Sequence, residues 1–177
     1  VKKFKDNRTT AISESNYSFL SKHISHSDVK IFYSCKSIDL YHEKLGQHHH
    51  FMNFTNEGKY LIHIAENKKL KKIFLKNIQK QKNIKIINGE VTEINVEKST
   101  VSIKNKNLHY DLIALCLGRR SNIVSQLVGK RFIEDDLKEI SFTSLVKHNS
   151  NISEPKQYFL KEGPLAILPI KRNMFSF

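Results

Sequence analysis

The sequence predicts an α/β (α+β) fold, and three patterns support this prediction. Two stretches, at about residues 12–20 and 67–81, carry apolar residues at the spacing of a helix with one buried face. Most other apolar residues alternate with polar ones, as in half-buried strands. Residues 108–118 are instead almost continuously apolar after Asp111, which is typical of a strand buried on both faces of a parallel or mixed sheet.

Both predicted helices lie in the first half of the chain. Ser13 can cap the first helix through its hydroxyl oxygen, and Ile12 is one of its apolar residues. Residues 29–54 then change to short β-like runs, such as 29–33 (VKIFY) and 37–41 (SIDLY). In the second helix, lysines cover one face and apolar residues the other. Those apolar residues are Leu70, Ile73, Phe74 and Ile78.

The second half of the chain predicts strands. Residues 84–87, 91–96 and 101–103 form three short β-like runs, and the buried strand that follows ends at Gly118. Ligands in open α/β sheets bind beyond the carboxyl ends of the strands, so the turn at residues 117–121 occupies a binding position. From about Lys138 onward, β-like runs return at residues 140–146, 157–160 and 165–170.

The net charge of the chain narrows the classes of molecule that it is expected to bind. The formal net charge of +13 is nearly all lysine, which fits either a solvated, compositionally biased surface or attraction to anionic lipid headgroups. A specific nucleic-acid reader more often shows arginines at bidentate contacts and aromatic residues interleaved with basic ones. Neither is concentrated here, so no specific nucleic acid is expected as a partner.

The sequence lacks the features that indicate a membrane-spanning, secreted or metal-binding protein. There is no run of 18 apolar residues and no apolar signal-peptide region, which predicts a soluble or peripheral protein. Cys35 and Cys116 are isolated, as expected for reduced thiols in the cytoplasm. Four histidines lie close together without ligand spacing, so we expect a surface loop and no metal site. They are His42, His48, His49 and His50.

Two motifs carry a family resemblance. Residues 6–13 (DNRTTAIS) and 163–170 (GPLAILPI) resemble segments of the ubiquinone-biosynthesis hydroxylases, a branch of the FAD-dependent aromatic monooxygenases that includes p-hydroxybenzoate hydroxylase. The resemblance implies an FAD- and NAD(P)H-dependent monooxygenase that hydroxylates a polyprenylated phenol. It also implies peripheral association with the inner membrane, with other ubiquinone-pathway enzymes as partners.

The resemblance also implies a domain plan. Residues 1–28 and 58–135 would form a partial FAD-binding, Rossmann-like domain, interleaved with an antiparallel substrate-binding sheet from residues 29–57 and 136–177. The family opens with a βαβ unit carrying a Gly-x-Gly-x-x-Gly loop and later has a Gly-Asp motif, and both are missing from this sequence. We therefore expect an internal fragment that is inactive alone and binds FAD weakly.

Three residues are assigned to the cofactor by this resemblance. Arg8 would lie against FAD, where its planar, permanently charged guanidinium suits pyrophosphate oxygens. Asn67 would donate to cofactor oxygens, although an N-cap role explains it equally well. Gly118 would allow close approach of the backbone, but Leu117 stands where the family has an aspartate. We expect Arg8, Asn67 and Gly118 to converge on one cleft edge.

The second motif is assigned to the substrate pocket. In the family this strand runs toward the flavin, and its prolines prevent ordinary ladder pairing while shaping the pocket wall. The pocket residues are then Pro164, Leu165, Ile167 and Pro169. Alternatively, the two prolines only bracket an edge strand. No residue is assigned as catalytic, because the chemistry belongs to the flavin.

An interpretation from a different class stays open. The chain can instead be a non-catalytic basic module that keeps part of this fold and binds a lipid surface, a partner protein or nucleic acid.

Overall fold

The structure, a computed structural model, describes residues 6–117 and 138–177, together with Ile123 and Leu127. It is a mixed α and β fold of the α+β type, and most of its regular structure is sheet. The chain divides into two compact units: Val1–Ile84 with Ser141–Phe177, and Lys85–Ile140. The predicted division into cofactor-binding and substrate-binding segments stays a prediction.

In chain order the described elements are β1 (Thr9–Ser13), α1 (Glu14–Ser21), a 3-10 helix (Asp28–Ile31), β2 (Tyr33–Cys35), β3 (Ser37–Lys44), β4 (Gln47–Thr55), β5 (Ile62–Glu66), α2 (Asn67–Gln79), β6 (Val91–Asn95), β7 (Thr100–Ile103), β8 (Lys106–His109), β9 (Leu145–Lys147), β10 (Lys156–Leu160), β11 (Gly163–Lys171) and β12 (Met174–Ser176). Neither helix has the length and apolar character needed to cross a membrane, as far as the chain is described.

The first unit contains a three-stranded antiparallel sheet in the order β1-β5-β2. Helix α1 follows β1 directly, and the backbone N–H of Asn16 donates to Ser13 Oγ at 3.4 Å, which confirms the predicted cap. The prediction that Ile12 belongs to this helix is wrong. Ile12 pairs with His63 in the sheet and packs with the buried Ala65, so pairing with β5 keeps it extended.

Helix α2 confirms the second predicted helix. It runs from Asn67 to Gln79, two residues short of the expected end, and it buries Leu70 and Ile73. Phe74 packs against the same core from a partly buried position. The spacing of apolar residues therefore predicted both the helix and the face that it buries.

A six-stranded sheet forms the rest of the first unit, in the order β4-β3-β10-β11-β12-β9. Within this sheet β3 and β10 run parallel, and the other neighbouring pairs are antiparallel. Ile170 of β11 is buried against Cys35 and Ile64 of the three-stranded sheet. The two sheets therefore share one apolar contact region.

Two predictions in the first half of the chain are wrong in detail. Residues 29–31 form a 3-10 helix rather than a strand, because Ser25 Oγ donates to the Asp28 carboxylate at 2.6 Å and the Asp28 N–H donates to the Ser25 carbonyl at 2.9 Å. Residues 48–50 lie in β4 rather than in a loop. They pair with residues 41–43 of β3, and this cross-strand register holds the histidines extended.

Strand β11 is central in its sheet, not an edge strand. It pairs with β10 on one side and β12 on the other. Pro164 is the second residue of the strand, and Pro169 stands at an irregularity of register before Lys171. These are positions where a sheet tolerates a residue without an N–H. The prolines therefore do not prevent β11 from pairing along both sides.

The second unit contains an antiparallel meander in the order β6-β7-β8. Lys104 and Asn105 connect β7 to β8 with φ of 49° and 61°, the left-handed conformation that a two-residue hairpin turn needs. The runs at residues 91–96 and 101–103 match β6 and β7. Residues 84–87 form no strand, and Ile84, Ile86 and Ile87 are exposed.

The predicted buried strand at residues 108–118 is also wrong for its described part. Strand β8 ends at His109, and residues 110–117 have no regular structure. Leu112 is 89% exposed. A strand buried on both faces needs hydrogen-bonded neighbours, and within residues 6–117 and 138–177 no strand pairs with this segment.

Candidate functional site

Arg8 and Asn67 lie side by side at one edge of the three-stranded sheet. Arg8 precedes β1, and Asn67 follows β5. Because β1 and β5 are antiparallel with Thr9 opposite Glu66, the residues just outside this pair meet. The backbone N–H of Asn67 donates to the Arg8 carbonyl oxygen at 3.0 Å. Two residues that are distant in sequence are thus brought together by strand register.

The side chain of Asn67 is positioned by Thr10. The Thr10 hydroxyl donates to Asn67 Oδ1 at 2.5 Å, across 57 positions of sequence. The Asn67 NH₂ group, by contrast, has no partner among the described residues. Glu66, not Asn67, is the N-cap of α2, with an extended backbone at φ −70° and ψ 128°. The N-cap interpretation of Asn67 is therefore wrong, and its amide can donate to a ligand.

Asp6 orients the guanidinium of Arg8. Arg8 Nε lies 2.9 Å from Asp6 Oδ1, Arg8 Nη2 lies 2.9 Å from Oδ2, and the Arg8 backbone N–H also donates to Oδ1 at 3.1 Å. These hydrogen bonds lower the pKa of Asp6 to about 2. The Arg8 side chain is 68% exposed, so it is directed by its partner but open to solvent.

Positive charge surrounds the start of α2. No side chain caps the helix, so the N–H groups of its first turn are free of side-chain cap bonds. Burial would raise the pKa of Glu66, but hydrogen bonds from Lys69 and Lys68 outweigh it and hold the pKa below its ordinary value. Lys71 lies near enough to Asp6 for its charge to lower the Asp6 pKa. Glu66 and Asp6 offset part of this positive charge, and the helix dipole together with Lys71 favours an anion.

A cleft of about 410 Å³ lies between β1 and α1, and neither Arg8 nor Asn67 lines it. Thr10 both lines the cleft and bonds to Asn67. The other lining residues come from β1 and from α1, which contributes Phe19 and Leu20. We call this the β1–α1 cleft.

The third predicted cofactor residue, Gly118, lies outside the described residues, as do Arg119, Arg120 and Ser121. Arg8 and Asn67 are in contact, although neither lines the β1–α1 cleft, and the expected convergence of all three residues on one cleft edge stays a prediction. Leu117 is described and is 39% exposed.

The four predicted substrate-pocket residues all lie on β11 but do not share one face. Successive side chains of a strand point to opposite faces, so Leu165, Ile167 and Pro169 lie on one face and Pro164 on the other. Pro169 is buried, Leu165 and Ile167 are half-buried, and Pro164 is exposed. At most three of the four can contribute to one pocket.

The sequence did not predict a buried group of side chains that is centred on His63, which we call the His63 cluster. His63 of β5 is 1% exposed, with Nδ1 at 2.8 Å from Ser34 Oγ and Nε2 at 2.7 Å from Glu14 Oε2. Its ring stacks on Tyr17 with centroids 3.6 Å apart. The hydrogen bond from His63 lowers the pKa of Glu14. A histidine inside the apolar run IHIA was the available signal, but its partners are 29 and 49 positions away.

The His63 cluster connects three elements: α1, β2 and β5. With Nε2–H donated to the Glu14 carboxylate, Nδ1 accepts from the Ser34 hydroxyl, so both ring nitrogens are satisfied. Neither the β1–α1 cleft nor the cleft around His148 and Asn173 is lined by His63 or Ser34. Through these two hydrogen bonds His63 ties α1, β2 and β5 together.

The histidines of the β3–β4 hairpin have partners of other kinds. His50 Nε2 lies 3.1 Å from Asp39 Oδ1, and the rings of His42 and His49 stack across the strands at 5.4 Å. In the described part of the chain, no three side chains of ligand type come together as a metal site would require.

No model of a protein family matches this chain, and no curated protein matches it either.

Proposed function

We propose that this chain supplies part of the FAD site of an FAD- and NAD(P)H-dependent monooxygenase that hydroxylates a polyprenylated phenol in ubiquinone biosynthesis. In this proposal the chain is an internal segment and is inactive alone. The observation that carries the proposal is the contact between Arg8 and Asn67. The resemblance assigns both residues to one cofactor, and this contact is what a shared site requires.

The groups at this edge suit the phosphate and hydroxyl oxygens of FAD. The Arg8 guanidinium would bind pyrophosphate while Asp6 fixes its direction. The Asn67 NH₂ would donate to a cofactor oxygen, and the first turn of α2 adds N–H donors. When bound, FAD would supply the oxygen chemistry with electrons from NAD(P)H. The fit is partial, because the sequence has no glycine-rich phosphate loop.

The sheet topology supports the substrate-binding part of the finer fold assignment. Strands β3 and β4 come from the first proposed substrate segment and β9 to β12 from the second, and all six join in one sheet. Strand β2 departs from this plan, since it pairs with β5 in the three-stranded sheet. We propose that the six-stranded sheet is the substrate-binding part and that the three-stranded sheet belongs to a Rossmann-like cofactor part.

The substrate class also suggests a location. A polyprenylated phenol carries a lipid tail, so we propose a cytoplasmic protein that works at the surface of the inner membrane beside other enzymes of the pathway.

FAD titration of the isolated chain tests the cofactor assignment. We expect weak binding, which is measured by the quenching of flavin fluorescence. ADP should compete with FAD for the site. Arg8→Gln and Asn67→Ala should each weaken it, Arg8→Gln by roughly 10-fold because a charge-assisted hydrogen bond is lost. Arg172→Gln, at another exposed arginine, is the matched control and should change nothing. Equal FAD affinity in all four proteins would overturn the proposal.

The DNA that flanks this segment gives an independent test. A Gly-x-Gly-x-x-Gly loop upstream and a Gly-Asp motif downstream in the same frame would support the monooxygenase. Start and stop codons at these ends would contradict the fragment assignment.

A further inference from the structure

Helix α2 presents a continuous basic stripe to solvent. Residues 3 or 4 apart lie on the same face of a helix, and the outward face here carries four lysines and one leucine. We call this set the α2 stripe. It consists of Lys68, Lys71, Lys72, Leu75 and Lys76.

Little negative charge opposes the α2 stripe. The helix has no Asp or Glu between Asn67 and Gln79. Lys68 is paired with the buried Glu66, and Lys76 approaches Asp28 only to 3.8 Å. Lys71 and Lys72 have no ion pair among the described residues. Lys71 and Lys72, half of the lysines in the stripe, therefore keep their charge for a partner.

Leu75 adds one apolar side chain to the basic stripe. Its side chain is 40% exposed, and Lys71 and Lys72 lie one turn before it on the same face. The apolar face of α2 is buried in the core through Leu70 and Ile73. Leu75 is thus an outward apolar group surrounded by cations.

We infer that the α2 stripe docks on an anionic lipid bilayer. Thirteen residues give a helix about 20 Å long, which can lie along a membrane surface with its lysines among the headgroup phosphates. Leu75 would insert between the headgroups, as apolar side chains of surface-bound helices do. Nucleic acid fits less well, because the stripe has no arginine for base contacts and no aromatic side chain for stacking. The inference does not require the flavin site.

Vesicle sedimentation with the full chain tests the charge requirement. The chain should bind vesicles of phosphatidylcholine mixed with phosphatidylglycerol, bind pure phosphatidylcholine weakly, and be released by salt. Lys72→Gln with Lys76→Gln should lower the partition coefficient by roughly 10- to 30-fold, since each lysine near an anionic surface contributes about fivefold. Lys161→Gln with Lys171→Gln removes the same charge from two exposed positions, one in the turn after β10 and one at the end of β11, and should lower the partition coefficient far less.

A tryptophan probe tests the insertion. The chain has no tryptophan, so Leu75→Trp creates a single emitting indole. Its emission should shift to shorter wavelength with phosphatidylglycerol vesicles, whereas Phe142→Trp, at a position that is 81% exposed, should not shift. Circular dichroism confirms that each variant is folded.

Three results would overturn the inference. One is an equal loss of binding in the two lysine pairs, which would mean that only net charge matters. Another is an unshifted indole emission from the Leu75→Trp variant when that variant is bound to vesicles. The third is tighter binding to a DNA duplex than to anionic vesicles with the same dependence on Lys72 and Lys76. None of these measurements uses FAD, so failure here would remove the proposed membrane location and leave the cofactor assignment to the FAD titration.

Discussion

His63 Nε2 lies 2.7 Å from Glu14 Oε2, and this hydrogen bond ties the first turn of α1 to the central strand of the three-stranded sheet. The other ring nitrogen bonds to Ser34 on β2, so one imidazole joins three elements. Because His63 is almost fully buried, its partners cannot be replaced easily by water.

Replacing His63 should therefore destabilise the fold. We expect His63→Ala to lower the free energy of unfolding by about 1–3 kcal/mol, because Ser34 and Glu14 lose their partner and Tyr17 loses its stacking contact. Urea denaturation followed by circular dichroism measures this. His49→Ala, at an exposed histidine, should stay within about 0.5 kcal/mol of the parent. Equal effects of the two substitutions would contradict the structural role of the cluster.

Stability should fall in acid partly through Glu14. The hydrogen bond from His63 holds the Glu14 pKa below its ordinary value of 4.5, although burial opposes this. Its contribution is thus complete above pH 4.5 and is lost as the pH falls through the lowered pKa. The gap in unfolding free energy between the parent and Glu14→Gln should be widest near neutral pH and close in acid. A gap that does not change with pH would contradict this prediction.

The pKa of Asp6 reports on the Arg8 pair. In the parent, hydrogen bonds from Arg8 hold this pKa at about 2 against an ordinary 3.8. Arg8→Gln removes the guanidinium, so the pKa should rise toward 3.8, as followed by NMR titration of the carboxyl carbon. Arg172→Gln should leave it in place. An Asp6 pKa that stays low in Arg8→Gln would mean that Asp6 does not orient this arginine.

The two thiols should differ sharply in reactivity. Cys35 is fully buried, and burial raises its pKa to about 12, whereas Cys116 is exposed. A disulfide reagent such as dithionitrobenzoate should modify one thiol quickly and the second only when the chain unfolds. Cys116→Ser should remove the fast reaction. Rapid modification of native Cys116→Ser would show that Cys35 is accessible.

Leu117 should tolerate a charge. Its side chain is 39% exposed, so Leu117→Asp does not bury a carboxylate and should change the unfolding free energy by less than about 0.5 kcal/mol. Thermal and urea unfolding of this variant give the comparison, with Leu70→Asp in the buried face of α2 as the contrasting case. A large loss of stability in Leu117→Asp would place Leu117 in a core.

Local patterns predicted local structure well. The spacing of Leu70 and Ile73 predicted α2 and its buried face, and the hydroxyl of Ser13 predicted the start of α1. Sequence patterns gave wrong predictions where contacts with other parts of the chain determine the local structure. The apolar run after Asp111 suits a buried strand, but it finds no pairing strand among the described residues, and Ser25 with Asp28 turns the chain where alternation favoured a strand.

The candidate site was predictable only in part for the same reason. The motif around Arg8 and the start of α2 at Asn67 selected two residues that the β1 and β5 register brings together. The His63 cluster depends on contacts from three separate elements, which no local spacing encodes. The alternation of β11 also separates Pro164 from the three other pocket residues, and a motif alone does not report that.

The parallel pairing of β3 with β10 has a consequence for how the chain folds during synthesis. The β3–β4 hairpin is local and can form early, but its other edge stays unpaired until residues 156–160 have been made. Residues 85–140 are synthesised in between and form their own unit. Contacts of such long sequence separation slow folding, and an open strand edge invites pairing with other chains. We therefore expect ribosome-bound chains that stop before β10 to aggregate, and chains extended through β12 to stay dispersed.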